Sequence, residues 1–134
     1  MSTRFVLPAT ATVADIDELG HVSNQVYLRW VLDVAVAHSN SLGWDATRYR
    51  AFGASFVVRR HELDYLAPVV EGETLSLQTW VETWKQASCI RRTEILRGDK
   101  AVLRAATTWA FMSLTSGRPM RIPDDIHALF STPG

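Results

Sequence analysis

Asp15-Ile16-Asp17-Glu18-Leu19-Gly20-His21-Val22-Ser23-Asn24-Gln25-Val26-Tyr27-Leu28-Arg29-Trp30 is the stretch from which the fold is read. It leaves the polar end of an apolar strand, turns at Gly20 and enters the longest helical pattern in the chain. A carboxylate therefore stands one short loop ahead of a helix N-terminus. The free N–H groups of a helix start stabilise negative charge. A carboxylate close by can activate water or attack directly.

The helix is expected from Ser23 or Asn24 to Leu42, with Gly43 as its stop. Val26, Tyr27, Leu28, Trp30, Val31, Leu32, Val34, Ala35, Val36 and Ala37 surround most of its circumference. Gln25, Arg29 and Asp33 leave one narrow polar stripe at a spacing of four. A helix of this kind is buried on nearly every side, and in a chain of 134 residues a curved sheet has to wrap it.

The strands for that sheet follow from the rest of the pattern. Phe5 to Val13 reads as a strand that Pro8 confines to an edge or an irregular start. A short helix is expected over Asp45 to Phe52, capped by Asp45 and ended by Gly53. Strands are expected at Ser55 to Leu66, Thr74 to Trp84, Ser88 to Arg97 and Ala101 to Ser113. Leu75, Leu77, Thr79, Val81 and Thr83 share one face of the second of these; Leu103, Ala105, Thr107, Trp109 and Phe111 share one face of the last. Arg97-Gly98-Asp99-Lys100 is a hairpin turn. Pro123-Asp124-Asp125 opens a terminal helix carrying Ile126, Leu129 and Phe130. The fold class is α+β: about five antiparallel strands around one long helix.

Composition narrows the function. The length fits a single domain over 1–134 with its own core. A formal net charge of zero gives no basic footprint for nucleic acid. Cys89 is the only cysteine, so no intrachain disulfide forms, which suits a reducing cytoplasm. The first residues have no signal-peptide form. The most apolar long segment, Val26 to Ala37, is too short and too charged to span a bilayer.

The remaining chemistry is sparse. His21, His38, His61 and His127 fit no zinc spacing, and no metal or cofactor is expected. No Gly-x-Ser-x-Gly elbow or Gly-rich phosphate loop occurs. Cys89 reads as a small buried hydrophobe. Arg59-Arg60 and Arg91-Arg92 read as strand charges facing solvent or a partner subunit. Trp80 and Trp84 fall on one strand face, and with Trp109 and Phe111 they mark an interface, a ligand tunnel or core packing. Asp15 and Asp17, two apart, face the same way in an extended chain; both also suit a turn before Gly20.

Asp15-x-Asp17-x-x-Gly20-His21-Val22-x-Asn24-x-x-Tyr27-x-x-Trp30 resembles the signature of hotdog-fold thioesterases of the 4-hydroxybenzoyl-CoA thioesterase type. Its His21-Val22-x-Asn24 part is also similar to acyl-carrier-protein thioesterases. Val58-Arg59-Arg60-His61-Glu62-Leu63-Asp64-Tyr65-Leu66-Ala67-Pro68 resembles the family's second strand, and Ser116-Gly117-Arg118-Pro119 with Pro123 its closing turn. Ser23 departs from the usual Asn, but Ser is itself a good N-cap.

The resemblance implies a hotdog fold and hydrolysis of an acyl-CoA thioester, with coenzyme A entering as part of the substrate. Asp17 matches the family's catalytic carboxylate, and the Asn24 N–H is the candidate oxyanion donor. His21, Tyr27 and Lys85 are the candidate substrate contacts. His21 could touch the thioester or hold the loop. Lys85 matches a strand end where relatives grip the phosphates of coenzyme A, although Gln86 and Ala87 beside it are not basic. A homodimer with a continuous sheet and interfacial sites is implied, with a tetramer as the larger alternative. Two rivals remain: a carrier-protein thioesterase with the same loop, and an acyl-thioester binding module that needs the tunnel but not Asp17.

Overall fold

The computed structural model describes residues 4–131. In chain order it contains β1 (Phe5–Thr10), a 3-10 turn (Val13–Asp15), α1 (Asn24–Ser41), α2 (Ala46–Phe52), β2 (Ala54–Tyr65), β3 (Thr74–Trp84), β4 (Ser88–Arg97), β5 (Lys100–Ser113) and α3 (Asp124–Ser131). The five strands form one antiparallel sheet in the order β1-β3-β4-β5-β2. Helix α1 lies across β1 and β3. This is the hotdog arrangement, with β1 and β2 as the two edges.

Local chemistry sets the boundaries. Ser23 caps α1, its Oγ accepting from Val26 N–H at 3.4 Å. Asp45 caps α2 by accepting from Arg48 N–H at 2.8 Å. Gly53 ends α2 at φ 95°, a left-handed conformation that side chains rarely adopt. The first strand stops at Thr10, short of the expected Val13, because Val13–Asp15 tightens into the 3-10 turn. Pro8 sits on an edge strand, where its missing N–H costs no ladder bond on the open side.

Two bodies of core meet on the concave face. Val26, Tyr27, Trp30, Val31 and Val34 of α1 pack with Leu75, Leu77, Ile95 and Leu103 of the sheet. The second body gathers Trp44 and Tyr49 with Phe111, Ile126 and Phe130 at the other end.

Three expectations need correction. Helix α1 is not buried all round: Val36 is 55% exposed and Leu28 and Leu32 are half-buried, because a single five-stranded sheet covers only one side. Thr83 and Trp84 do not keep the alternation of β3. A bulge between Val81 and Thr83 shifts the register, so Trp84 pairs with inward-facing Cys89 and turns to the concave face, parting from Trp80. Arg91 does not face outward. It lies between Cys89 and Thr93 on the inner side of central strand β4 and is 5% exposed.

Candidate active site

The segment between the 3-10 turn and α1 folds as a small hairpin. Ile16 and Val22 form an antiparallel bridge. Asp17 N–H donates to His21 O at 2.9 Å and Ser23 N–H to Asp15 O at 3.0 Å. Gly20, at φ 82°, makes the tip, its N–H donating to Asp17 O at 3.0 Å. Outside bonds fix the hairpin. Val22 N–H donates to Val69 O at 2.9 Å, and Ala11 N–H to Glu73 O at 3.0 Å. The loop between β2 and β3 thus holds the hairpin from one side.

The two aspartates separate in this setting. Asp15 is buried, 5% exposed. Its Oδ2 accepts from the N–H and the hydroxyl of Thr12 at 2.9 and 3.1 Å, and its Oδ1 from Arg29 Nη2 at 3.0 Å. The Thr12 N–H, with help from Arg29 and against the effect of burial, holds this carboxyl below the usual range. Asp15 is a clasp between the hairpin and α1.

Asp17 is half-buried. Its Oδ1 accepts from Leu19 N–H at 2.9 Å and, at the long limit of 3.5 Å, from His21 N–H. Its Oδ2 has no partner among the described residues. One oxygen aims the carboxylate and the other remains able to take a proton or attack a carbonyl.

The helix start lies at the hairpin's exit. Val26 N–H is taken by Ser23, and Tyr27 N–H donates to Ser23 O at 3.3 Å. That leaves the N–H groups of Asn24 and Gln25 without acceptors among the described residues, on residues that are exposed. A helix of 18 residues adds its macrodipole at this point.

Of the other candidates, His21 stays in the hairpin, while Tyr27 and Lys85 fall outside it. The His21 ring is exposed. Tyr27 is in the core, its ring edge-to-face with Trp30 at 5.8 Å and Tyr65 at 5.5 Å, and burial raises its phenol above the ordinary range. It anchors the first turn of α1 and offers no open face at the hairpin within the chain. Lys85 is exposed at the turn after β3. The hairpin adjoins the other end of that strand, where Thr10 pairs with Thr74. At ~3.3 Å per residue the strand is roughly 35 Å long, so one chain does not bring Lys85 and Asp17 together.

Cys89 is buried and its thiol is pushed up to about 11, chiefly by desolvation, which leaves it inert near neutrality. The group that sequence reasoning missed is the inward Arg91. Its Nη1 contacts His38 Nδ1 at 3.0 Å and donates to Thr79 Oγ1 at 3.1 Å. The period-two pattern carried the signal: Arg91 shares its parity with Cys89, Thr93 and Ile95, all inward.

Comparison with known proteins agrees with the fold. No curated protein matches the sequence. Among solved structures, the chain is similar to a protein from Aquifex aeolicus at 17% identity and a TM-score of 0.87, covering 94% of this chain and 98% of that one. A 1,4-dihydroxy-2-naphthoyl-CoA thioesterase from Synechocystis matches at 16% identity and 0.87, covering 96% of each chain. A DHNA-CoA thioesterase from Staphylococcus aureus matches at 18% and 0.85, covering 96% of this chain and 89% of that one. At these identities the likeness shows the fold. The family model described as the thioesterase-like superfamily matches residues 11–130, from the residue after β1 into the last turn of α3. The chain therefore belongs to the thioesterase-like superfamily, whose chemistry is the hydrolysis of thioesters.

Proposed function

We propose that this protein hydrolyses acyl-CoA thioesters, with Asp17 as the reacting carboxylate and the Asn24 N–H as oxyanion donor. The observation that carries the reading is the division of labour within Asp17: Oδ1 held by backbone donors, Oδ2 without a partner among the described residues, one hairpin strand from a helix N-terminus. Oδ2 takes a proton from water as the oxygen adds to the thioester carbonyl, or adds to that carbon itself to give a mixed anhydride. In either route the carbonyl oxygen gains negative charge beside the helix start, and collapse expels the thiolate. Turnover in ¹⁸O-water, limited to one cycle, identifies the anhydride route when label enters the Asp17 carboxylate, the outcome of water attack at that residue.

The site is completed by a second copy. Strand β2 is an edge of 12 residues, with Val57 and Tyr65 exposed along it. Leu28, Leu32 and Val36, at a spacing of four, form an incompletely covered apolar stripe on α1. A two-fold axis near Leu32 would pair these helices antiparallel. The Asn24 end of one would then lie beside the Asn40 end of the other. Lys85 of the partner subunit, remote from Asp17 within one chain, would come round toward the site and meet the nucleotide phosphates.

The assay that tests this reading is release of free thiol from a panel of alkyl and aryl acyl-CoA substrates. Hydrolysis of none of them, with hydrolysis of an acyl-carrier protein instead, would replace coenzyme A as the carrier.

A further inference from the structure

A cavity of about 180 Å³ lies at the far end of α1 from the hairpin. Its walls include Trp44, Tyr49, Val81, Trp84, Trp109 and Phe130, and Val36 and Asn40 stand on its exposed helical side. No residue of the Asp15–Ser23 hairpin lines it. A cavity of about 150 Å³ with apolar walls accommodates benzene, so the space suits one ring or a short chain.

The walls are not only apolar. Arg91 reaches the cavity from β4. Its Nη1 is engaged by His38 and Thr79, whereas Nη2 and Nε have no partner among the described residues. No Asp or Glu forms an ion pair with it among those residues. His38 cannot neutralise it, because desolvation and the Arg91 charge push the imidazole down to about 4 and leave it an uncharged acceptor. The indole nitrogens of Trp44 and Trp109 are covered and have no acceptor among the described residues, so the two rings act here as apolar wall. Burying a guanidinium without a counter-charge is costly, as is burying a donor without an acceptor. A cationic donor in an otherwise apolar pocket has one complement: an anionic oxygen group on an apolar body.

We propose that this cavity binds a small carboxylate carried on a single ring or a short alkyl chain, its oxygens facing Arg91. Two sources share that chemistry. One is a free acid. The other is the distal carboxylate of an acyl group whose thioester end is held at the partner's helix start; this source, and only this one, rests on the hydrolase reading above.

The test uses the intact protein with benzoate and hexanoate as probes and benzamide as the neutral control, followed by tryptophan fluorescence and calorimetry. Benzoate should bind at least about tenfold more tightly than benzamide, the scale of a hydrogen bond to a charged group. Arg91→Met should remove that preference, and a melting curve checks that the variant folds. Asp17→Asn should leave benzoate binding unchanged, which separates this site from the failure of the hydrolase reading. Competition between benzoate and acyl-CoA assigns the site to the acyl tail, and absence of competition assigns it to a free acid. Equal affinity for benzoate and benzamide in the unaltered protein, or a preference that survives in Arg91→Met, would overturn the proposal.

Discussion

Arg29 of α1 and Asp15 ahead of the hairpin meet at 3.0 Å, joining the two segments that carry the proposed chemistry. The Arg29 side chain is about half exposed, and Asp15 supplies the buried half of the pair. Asp15→Asn should therefore cost roughly 1–3 kcal/mol of stability, the scale for hydrogen bonds to a charged group. It should reduce kcat less than a change at Asp17, because it loosens the hairpin without removing the reacting group. Chemical denaturation together with steady-state kinetics measures both effects.

His38 gives the acid limb of stability its sign. The folded protein keeps this ring neutral down to about pH 4, whereas its ordinary value is 6.5. The unfolded chain therefore binds the extra proton first. Stability from this source is intact above pH 6.5, falls as the pH drops toward 4, and falls no further below that. Asp15, held low, adds a loss only at more acid pH, through its folded value. His38→Gln retains an acceptor for Arg91 and should flatten the segment between 6.5 and 4 in a series of melting curves. An unchanged slope would show that His38 titrates normally.

The proposed pairing of two copies through the apolar stripe on α1 has its own test. Leu32→Glu places a charge at the proposed two-fold contact while leaving the sheet-facing side of α1 untouched. Light scattering should show a monomer at micromolar concentration, and thiol release should fall with it. A variant that stays dimeric, or a monomer with full activity, would rule out this interface.

Lys85 offers a test of nucleotide recognition. Lys85→Ala should raise KM for acyl-CoA several-fold and leave kcat nearly unchanged, the pattern of lost uniform binding. An acyl-pantetheine substrate without the nucleotide should be indifferent to the change. One ammonium at an exposed position contributes about 1 kcal/mol or less, so on this reading the pantetheine arm and the acyl group should provide most of the affinity. Equal effects on both substrates would make Lys85 structural.

Local signals carried the fold. Ser23, Asp45 and Gly53 act through their own backbone neighbourhoods, so caps and stops were legible in single residues. What the sequence hid depends on distant parts. The bulge at Val81/Thr83 turns Trp84 inward, and strict alternation cannot foresee one extra residue. Arg91 was expected outward because charges are seldom buried, yet its parity placed it with Cys89 and Thr93. The pair Asp15 and Asp17 was visible, but which is clasped and which is open depends on Thr12 and on Arg29 fourteen residues along. Lys85 shows the reverse case. A motif position was recognised, and the length of β3 then set it apart from Asp17.

The central claim rests on the unpartnered oxygen of Asp17. Asp17→Asn keeps an acceptor for Leu19 and His21, so the hairpin should persist while the base or nucleophile is lost. Single-turnover hydrolysis of acyl-CoA, with binding of a non-hydrolysable thioether analogue measured in parallel, is the direct test. The expected result is a fall in rate of at least ~10², the low end for a positioned general base, with analogue affinity nearly unchanged. Near-normal turnover in Asp17→Asn would contradict the account and move attention to Asp33 on α1.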